Sequence, residues 1–115
     1  MSGHYAYQDA TPMKGVSVDE PIVVNEKGGK QSKVNYAFHL IDKEALLSLA
    51  EVLARGAERY ERDNWRKISS EEHYNHMMIH WMAYISGDKQ DDHLGHFFTR
   101  AMMAYATAKQ EKRNE

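Results

Sequence analysis

The helical spacing of apolar residues from Asp42 onwards is the feature that most constrains the fold of this chain. Asp42 stands in N-cap position before the first periodic segment. Ser69 and Glu72 form a capping-box pattern before the second segment, and Asp91 or Asp92 can cap the third. Because each segment repeats its apolar residues every three to four positions, the pattern predicts three amphipathic helices.

Each predicted helix carries one apolar face, and Gly87 is predicted to end the second helix. The faces consist of Leu46, Leu49, Ala50, Leu53, Ala57 and Tyr60; then Tyr74, Met77, Met78, Trp81, Met82 and Ile85; then Leu94, Phe97, Phe98, Ala101, Met102, Tyr105 and Ala108. Three helices enclose only a small core, so these faces offer more apolar surface than one chain can cover. We therefore expect an oligomeric helix bundle, as a homotetramer or other even homo-oligomer.

The residues before Asp42 predict an arm and a short hairpin. Residues 1 to about 20 are polar and irregular, which is typical of a mobile arm. "PIVVN" (21–25) and "KVNYAFHL" (33–40) have strand character and flank a turn signal at Gly28-Gly29. The sequence thus predicts a mostly α fold with an arm and hairpin over 1–41 and a helical core over 42–112. The polar tail "KQEKRNE" (109–115) is expected to fray.

Composition narrows the classes of function. A formal net charge of −2 argues against binding of a nucleic acid polymer or an anionic membrane, and the absence of cysteine removes disulfides and thiolate chemistry. No segment has the pattern of a signal peptide or a membrane span, so we expect a cytoplasmic protein.

The distribution of histidines is uneven, because five of the seven lie between residues 73 and 96. A helical wheel places them on two arcs of about 60°, each beside an apolar face. These two histidine borders consist of His73, His76 and His80 on the second helix and His93, His96 and Arg100 on the third. A short turn between the helices predicts antiparallel packing, in which the borders could meet at a common groove.

Three interpretations of the histidine borders are open. The histidines could cover the core edge, as amphipathic side chains often do. They could bind a transition metal together with Asp88, Asp91 or Asp92, since their spacings of three and four residues suit ligation. They could also line a groove for a flat anionic ligand, with Tyr60, Trp65, Trp81 and Tyr84 offering aromatic surface and Lys30 and Lys33 reaching a phosphate.

The segments "EVLARGAERYERDNW", "HMMIHWMAYISGD" and "HLGHFF" resemble the phage and bacterial dATP/dGTP diphosphohydrolase N-terminal family, which is related to MazG-like all-α nucleotide pyrophosphohydrolases. The resemblance covers residues 28 to 108. It implies an oligomeric MazG-like helical fold, often a tetramer, with a nucleotide pocket between helices. The positions it implicates are Lys30, Lys33, Tyr60, Asn64, Trp65, His80, Asp88, His93 and His96.

The sequence departs from the carboxylate pattern of the related enzymes. MazG-like enzymes hold magnesium with a Glu-Glu-x-x-Glu segment on one helix and a Glu-x-x-Asp segment on the next. Here Glu71-Glu72 begin such a segment, but Asn75 occupies the position of its third glutamate. The acidic loop after Asp88 is also short. Magnesium and manganese prefer clustered oxygen ligands. The departure therefore favours binding over hydrolysis.

The sequence and the resemblance lead to two hypotheses about function. The first is a phage-type protein, acting in the cytoplasm of an infected bacterial host, that sequesters a purine-containing cyclic dinucleotide or similar immune signal without a cofactor. Its phosphate ligands are predicted to be His80, His93, His96 and Arg100, its base ligands Tyr60, Asn64 and Trp65, with Lys30 or Lys33 closing the site. The alternative is a (d)NTP diphosphohydrolase that binds Mg²⁺ or Mn²⁺ through Asp88, Asp91, Asp92 and Glu51 or Glu72.

Overall fold

The computed structural model describes residues 20–115, so the predicted N-terminal arm lies outside the described residues apart from Glu20. The described chain contains one two-stranded hairpin, two short 3-10 helices and three α-helices, which confirms the prediction of a mostly α fold with an N-terminal hairpin. The chain divides into two units between Ile41 and Asp42. None of the helices described is long and apolar enough to cross a membrane.

The hairpin is formed by β1 (Ile22–Val24) and β2 (Lys30–Ser32), which pair in antiparallel fashion. Asn25 closes the turn, because its side-chain oxygen accepts hydrogen bonds from two backbone N–H groups of the connecting segment. The prediction of the second strand over 33–40 is wrong, since this tight turn starts the pairing several residues earlier. Residues 33–40 instead lead into a 3-10 helix at Phe38–Leu40.

The three predicted helices are present as α1 (Lys43–Arg59), α2 (Ser70–Ile85) and α3 (His93–Arg113). Asp42, Ser69 and Asp92 cap them, each accepting from the backbone N–H three residues later at 2.9, 3.2 and 3.0 Å. Gly87 follows α2 with a φ of 85°, a conformation that glycine adopts without steric cost. The start signals in the sequence are therefore confirmed, with Asp92 rather than Asp91 as the cap of α3.

The C-terminal end of α3 is tied to the N-terminal end of α2. The carboxylate of Glu111 accepts hydrogen bonds from the backbone N–H and the hydroxyl of Ser70, at 2.9 and 2.6 Å. These bonds lower the pKa of Glu111. The prediction that the tail after residue 108 frays is wrong, because α3 continues to Arg113. The Glu111 contact satisfies backbone donors at the start of α2 and holds the last turns of α3 in place.

Helix α3 is the central element and packs against both α1 and α2. Small and polar residues mediate this packing: Gly95, Thr99 and Thr107 are buried, and the threonine hydroxyls donate to carbonyls of their own helix. At Gly95 an added Cβ would lie 2.8 Å from the Ser48 hydroxyl, so α1 approaches α3 very closely there.

The apolar faces point away from these contacts. Among residues 20–115 no apolar side chain is buried. On α2 the residues Tyr74, Met82 and Ile85 are each more than half exposed, at 56%, 54% and 54%, while His73 on the histidine border is fully buried. Trp81 of α2 does contact Phe97 of α3, with ring centroids 5.1 Å apart. The helices thus contact each other through small and polar residues and one aromatic pair, and leave much of their apolar faces uncovered.

Candidate functional site

A cleft of about 740 Å³ opens between α1, α3, the second 3-10 helix (Asn64–Lys67) and one edge of α2. Its volume lies within the range of small-molecule sites. Six of the residues predicted to bind ligand line it: Tyr60, Asn64, Trp65, His80, His96 and Arg100. The helical core therefore brings together most of the predicted phosphate and base ligands on one concave surface.

The aromatic side of the cleft is built by the segment after α1. Asp63 takes a left-handed conformation, with φ of 61°, and turns the chain into the 3-10 helix that presents Trp65. The guanidinium of Arg66 lies 4.4 Å from the centre of a Trp65 ring, and Tyr60 is 61% exposed. These rings offer stacking surface for a planar base next to a positive charge.

Three histidines meet where α2 and α3 begin to pack. His80 Nδ1 lies 3.0 Å from His93 Nδ1, and the rings of His80 and His96 stack with centroids 4.9 Å apart. The two histidine borders therefore face each other here. Burial lowers the pKa of His80, and the neighbouring His96 and His93 lower it further, so the neutral form of His80 is favoured.

Two carboxylates on the α2–α3 connection hold this histidine cluster. His93 Nε2 donates to Asp88, and His93 Nδ1 shares one proton with His80 Nδ1, so that one of these two nitrogens donates and the other accepts. His96 Nε2 lies 3.4 Å from Asp91 Oδ1. A hydrogen bond from a backbone N–H is the main cause that lowers the pKa of Asp91, and His96 adds to it. The carboxylates thus orient the imidazoles at the mouth of the cleft.

Arg100 supplies a fixed guanidinium on the α3 side of the cleft. It is partly buried, which lowers its pKa, and its Nη1 donates to His73 Nδ1 at 2.9 Å. His73 in turn contacts the backbone oxygen of Trp65 through Nε2 at 2.8 Å. Arg100 keeps further N–H donors that can bind an anion in the cleft.

Other predicted residues lie elsewhere. Lys30 and Lys33 belong to the hairpin unit, where Lys30 is the first residue of β2, and their part in the site stays a prediction. His76 is exposed on α2, and His93 contacts His80 without lining the cleft itself.

The sequence interpretation placed His73 on a histidine border but did not assign it to the site. Its complete burial could not be read from the pattern, because a polar residue beside an apolar face is usually half exposed. Its spacing of seven residues from His80 was the available signal, since both positions fall on one helix face.

A family model described as dATP/dGTP diphosphohydrolase, N-terminal, matches residues 25–115. The chain belongs to this family. The dATP/dGTP diphosphohydrolase N-terminal match begins at the turn of the hairpin, covers its second strand and all three helices, and confirms the resemblance that the sequence motifs carry. No curated protein and no solved structure matches the chain.

A diphosphohydrolase reaction on a nucleoside triphosphate calls for a divalent metal, so the fit of the carboxylates matters. Asp88 and Asp91 bind histidines, and Asp92 caps α3. Glu51 forms an ion pair on the exposed side of α1, and Glu72 is exposed in the first turn of α2. Although three histidines meet beside Asp88 and Asp91, within residues 20–115 no group of three or more histidine, aspartate or glutamate side chains is arranged so that it could hold a metal ion. The donor set described here does not fit a magnesium or manganese centre.

Acidification is expected to destabilise the helical core. Burial lowers the pKa of His73 and His80 below the ordinary 6.5, so the unfolded chain takes up protons before the folded chain as pH falls. Stability should be constant above about pH 7.5 and fall towards about pH 5.5, by at most about 1.4 kcal/mol for each histidine. Urea unfolding at both pH values measures this.

The matched control is His76→Gln, which changes an exposed histidine on the same helix and should keep the wild-type pH dependence. His80→Gln should reduce it. A free energy of unfolding that is equal at the two pH values in the wild-type protein would contradict the prediction.

Proposed function

We propose that the cleft binds a purine nucleotide and retains it without turnover. The observation that carries the proposal is Arg100, which presents a guanidinium to the same cleft that Trp65 and Tyr60 line with aromatic rings. A guanidinium binds phosphate oxygens in bidentate fashion, and aromatic rings stack on bases. His80 and His96 add donors beside Arg100.

The carboxylates support retention over hydrolysis. Each acidic residue on the α2–α3 connection is engaged, with His93, His96 or the N-terminus of α3 as its partner. The carboxylates that line the cleft are paired as well, Glu61 with Lys67, Asp63 with Arg66 and Asp91 with His96. The cations and aromatic rings of the cleft can bind phosphate and base without activating water. The ligand class we propose is a purine-containing cyclic dinucleotide immune signal, sequestered by a phage-type protein in the cytoplasm of an infected bacterium.

The second candidate is a Mg²⁺- or Mn²⁺-dependent (d)NTP diphosphohydrolase. Membership of the dATP/dGTP diphosphohydrolase N-terminal family favours it directly. In this case Asp88 and Asp91 would exchange their histidine partners for the metal, and a second copy of the chain would have to supply further oxygen ligands.

A single incubation distinguishes the two functions. The purified chain is mixed with dATP, dGTP and cyclic di-adenosine monophosphate, with Mg²⁺ or Mn²⁺, and the free fraction is chromatographed before and after heat denaturation. We expect intact ligand that is depleted before heating and recovered after it, in proportion to the protein. Catalytic release of monophosphate and pyrophosphate would establish the hydrolase instead, and full recovery of every ligand before heating would reject both.

We also propose that the chain functions as an even homo-oligomer. The proposal rests on the apolar residues of α2 that the described chain leaves exposed, such as Tyr74, Met82 and Ile85. A contiguous exposed apolar face on a helix bundle usually has a partner. A second copy of the same face is the simplest partner, since two-fold symmetry makes such a face self-complementary.

A further inference from the structure

His73 connects the two sides of the cleft through one imidazole ring. Its side chain is completely buried between the second 3-10 helix, α2 and α3. Nε2 lies 2.8 Å from the Trp65 carbonyl oxygen, and Nδ1 lies 2.9 Å from Arg100 Nη1. The Trp65 ring meets the His73 ring edge-on, with centroids 6.3 Å apart.

Hydrogen-bond chemistry fixes the state of this ring. A guanidinium only donates, so Nδ1 of His73 must be the unprotonated acceptor. A carbonyl oxygen only accepts, so Nε2 must carry the proton. His73 is therefore neutral with its proton on Nε2, and burial, which lowers its pKa, favours the same neutral form.

His73 joins Arg100, which we propose to bind phosphate, to Trp65, which we propose to stack on the base. Among residues 20–115 no carboxylate forms an ion pair with Arg100, and the hydrogen bond to His73 holds its guanidinium beside the more exposed Tyr60. On the other side, the same ring holds the backbone of Trp65 in place. A displacement of Arg100 or Trp65 would therefore also shift the other residue, because the buried His73 ring contacts both and cannot move independently of its close-packed surroundings.

We propose that His73 is a positioning residue that holds Arg100 and Trp65 at a fixed separation, so that the cleft selects ligands that present phosphate and base together. The inference rests on the proposed nucleotide binding. It adds a residue that touches no ligand yet determines how tightly a complete nucleotide binds compared with either of its parts. Such preorganisation raises affinity because less ordering remains to be done on binding.

Two substitutions separate the two contacts of His73. His73→Asn keeps an amide oxygen near the position of Nδ1, which can accept from Arg100, and loses the bond to Trp65. His73→Gln places an amide N–H near the position of Nε2, which can donate to the Trp65 carbonyl, and loses the bond to Arg100. The probes are dATP and cyclic di-adenosine monophosphate, which have base and phosphate, and inorganic triphosphate, which has phosphate alone.

We expect both variants to bind the nucleotides about 5- to 30-fold more weakly than the wild type. Only His73→Gln should weaken binding of inorganic triphosphate by a similar factor, whereas His73→Asn should stay within about twofold. Equal effects of the two variants on triphosphate, or wild-type affinity in both, would overturn the positioning role. If the wild-type chain binds none of the probes, the proposed nucleotide binding itself fails, which is a different outcome.

A measurement on the wild-type protein keeps the test valid if a variant does not fold. Nitrogen chemical shifts of the His73 imidazole, recorded at about pH 6.5 with and without dATP, report its tautomer. We expect a protonated Nε2 and an unprotonated Nδ1 in both states. A proton on Nδ1 in either state would overturn the inference, because that nitrogen could then not accept from Arg100.

Discussion

Replacement of Arg100 by methionine is expected to lower the affinity of the cleft for dATP about 10- to 100-fold, since a hydrogen bond to a charged group contributes about 1.5–3 kcal/mol. Methionine keeps much of the aliphatic length of the partly buried arginine and removes the guanidinium that faces the cleft. Isothermal titration with the wild-type and variant chains measures the change, and urea unfolding verifies that both are folded.

Arg55→Met is the matched control for this experiment. Arg55 also lines the cleft, but its side chain is 64% exposed and forms an ion pair with Glu51 at 2.9 Å. Exposed ion pairs contribute little, so this variant should change affinity by less than about threefold. Equal losses in the two variants would mean that overall positive charge, and not the fixed guanidinium of Arg100, determines binding.

If the chain forms the proposed homo-oligomer, Met82→Glu is expected to dissociate it into single chains of 13.3 kDa. Met82 lies on the uncovered apolar face of α2, and burying a methionine contributes about 1.5–3 kcal/mol. A two-fold interface contains each substitution twice, so the dissociation constant should rise by at least about 100-fold. Light scattering during gel filtration reports the mass directly.

His76→Glu is the control for the assembly experiment. It places the same carboxylate on α2, at an exposed position about 120° around the helix from Met82. This variant should keep the wild-type mass. A wild-type protein that runs as a single chain at high concentration would contradict the proposed assembly, and dissociation of both variants would show that added charge alone breaks it.

The helix boundaries could be predicted because they depend on local chemistry. Asp42, Ser69 and Asp92 each satisfy backbone donors three residues later, which is a property of the neighbouring sequence alone. The second strand was misplaced because the turn around Asn25 is closed by a side chain, and its length cannot be read from strand character.

The direction in which each helix faces could not be predicted from the wheel. Apolar periodicity placed Tyr74, Trp81 and Met82 on one face of α2 without indicating which of them the same chain covers. Trp81 contacts Phe97 of α3, whereas Tyr74 and Met82 are exposed and His73 of the histidine border is buried. A wheel identifies a face without stating whether the same chain or another copy covers it. The wheel did place His80, His96 and Arg100 on the borders that line the cleft. It could not predict that His73 is buried, because burial depends on which element packs against that face.

Gly95 affects the histidine cluster although it carries no functional group. It stands between His93 and His96, where an added Cβ would clash with the Asp92 carboxylate that caps α3 and would lie 2.8 Å from the Ser48 hydroxyl of α1. Any larger residue would therefore have to displace the capping carboxylate or the Ser48 side chain. The two imidazoles beside this position depend on a missing side chain, so a substitution at Gly95 would disturb the start of α3 without touching a ligand.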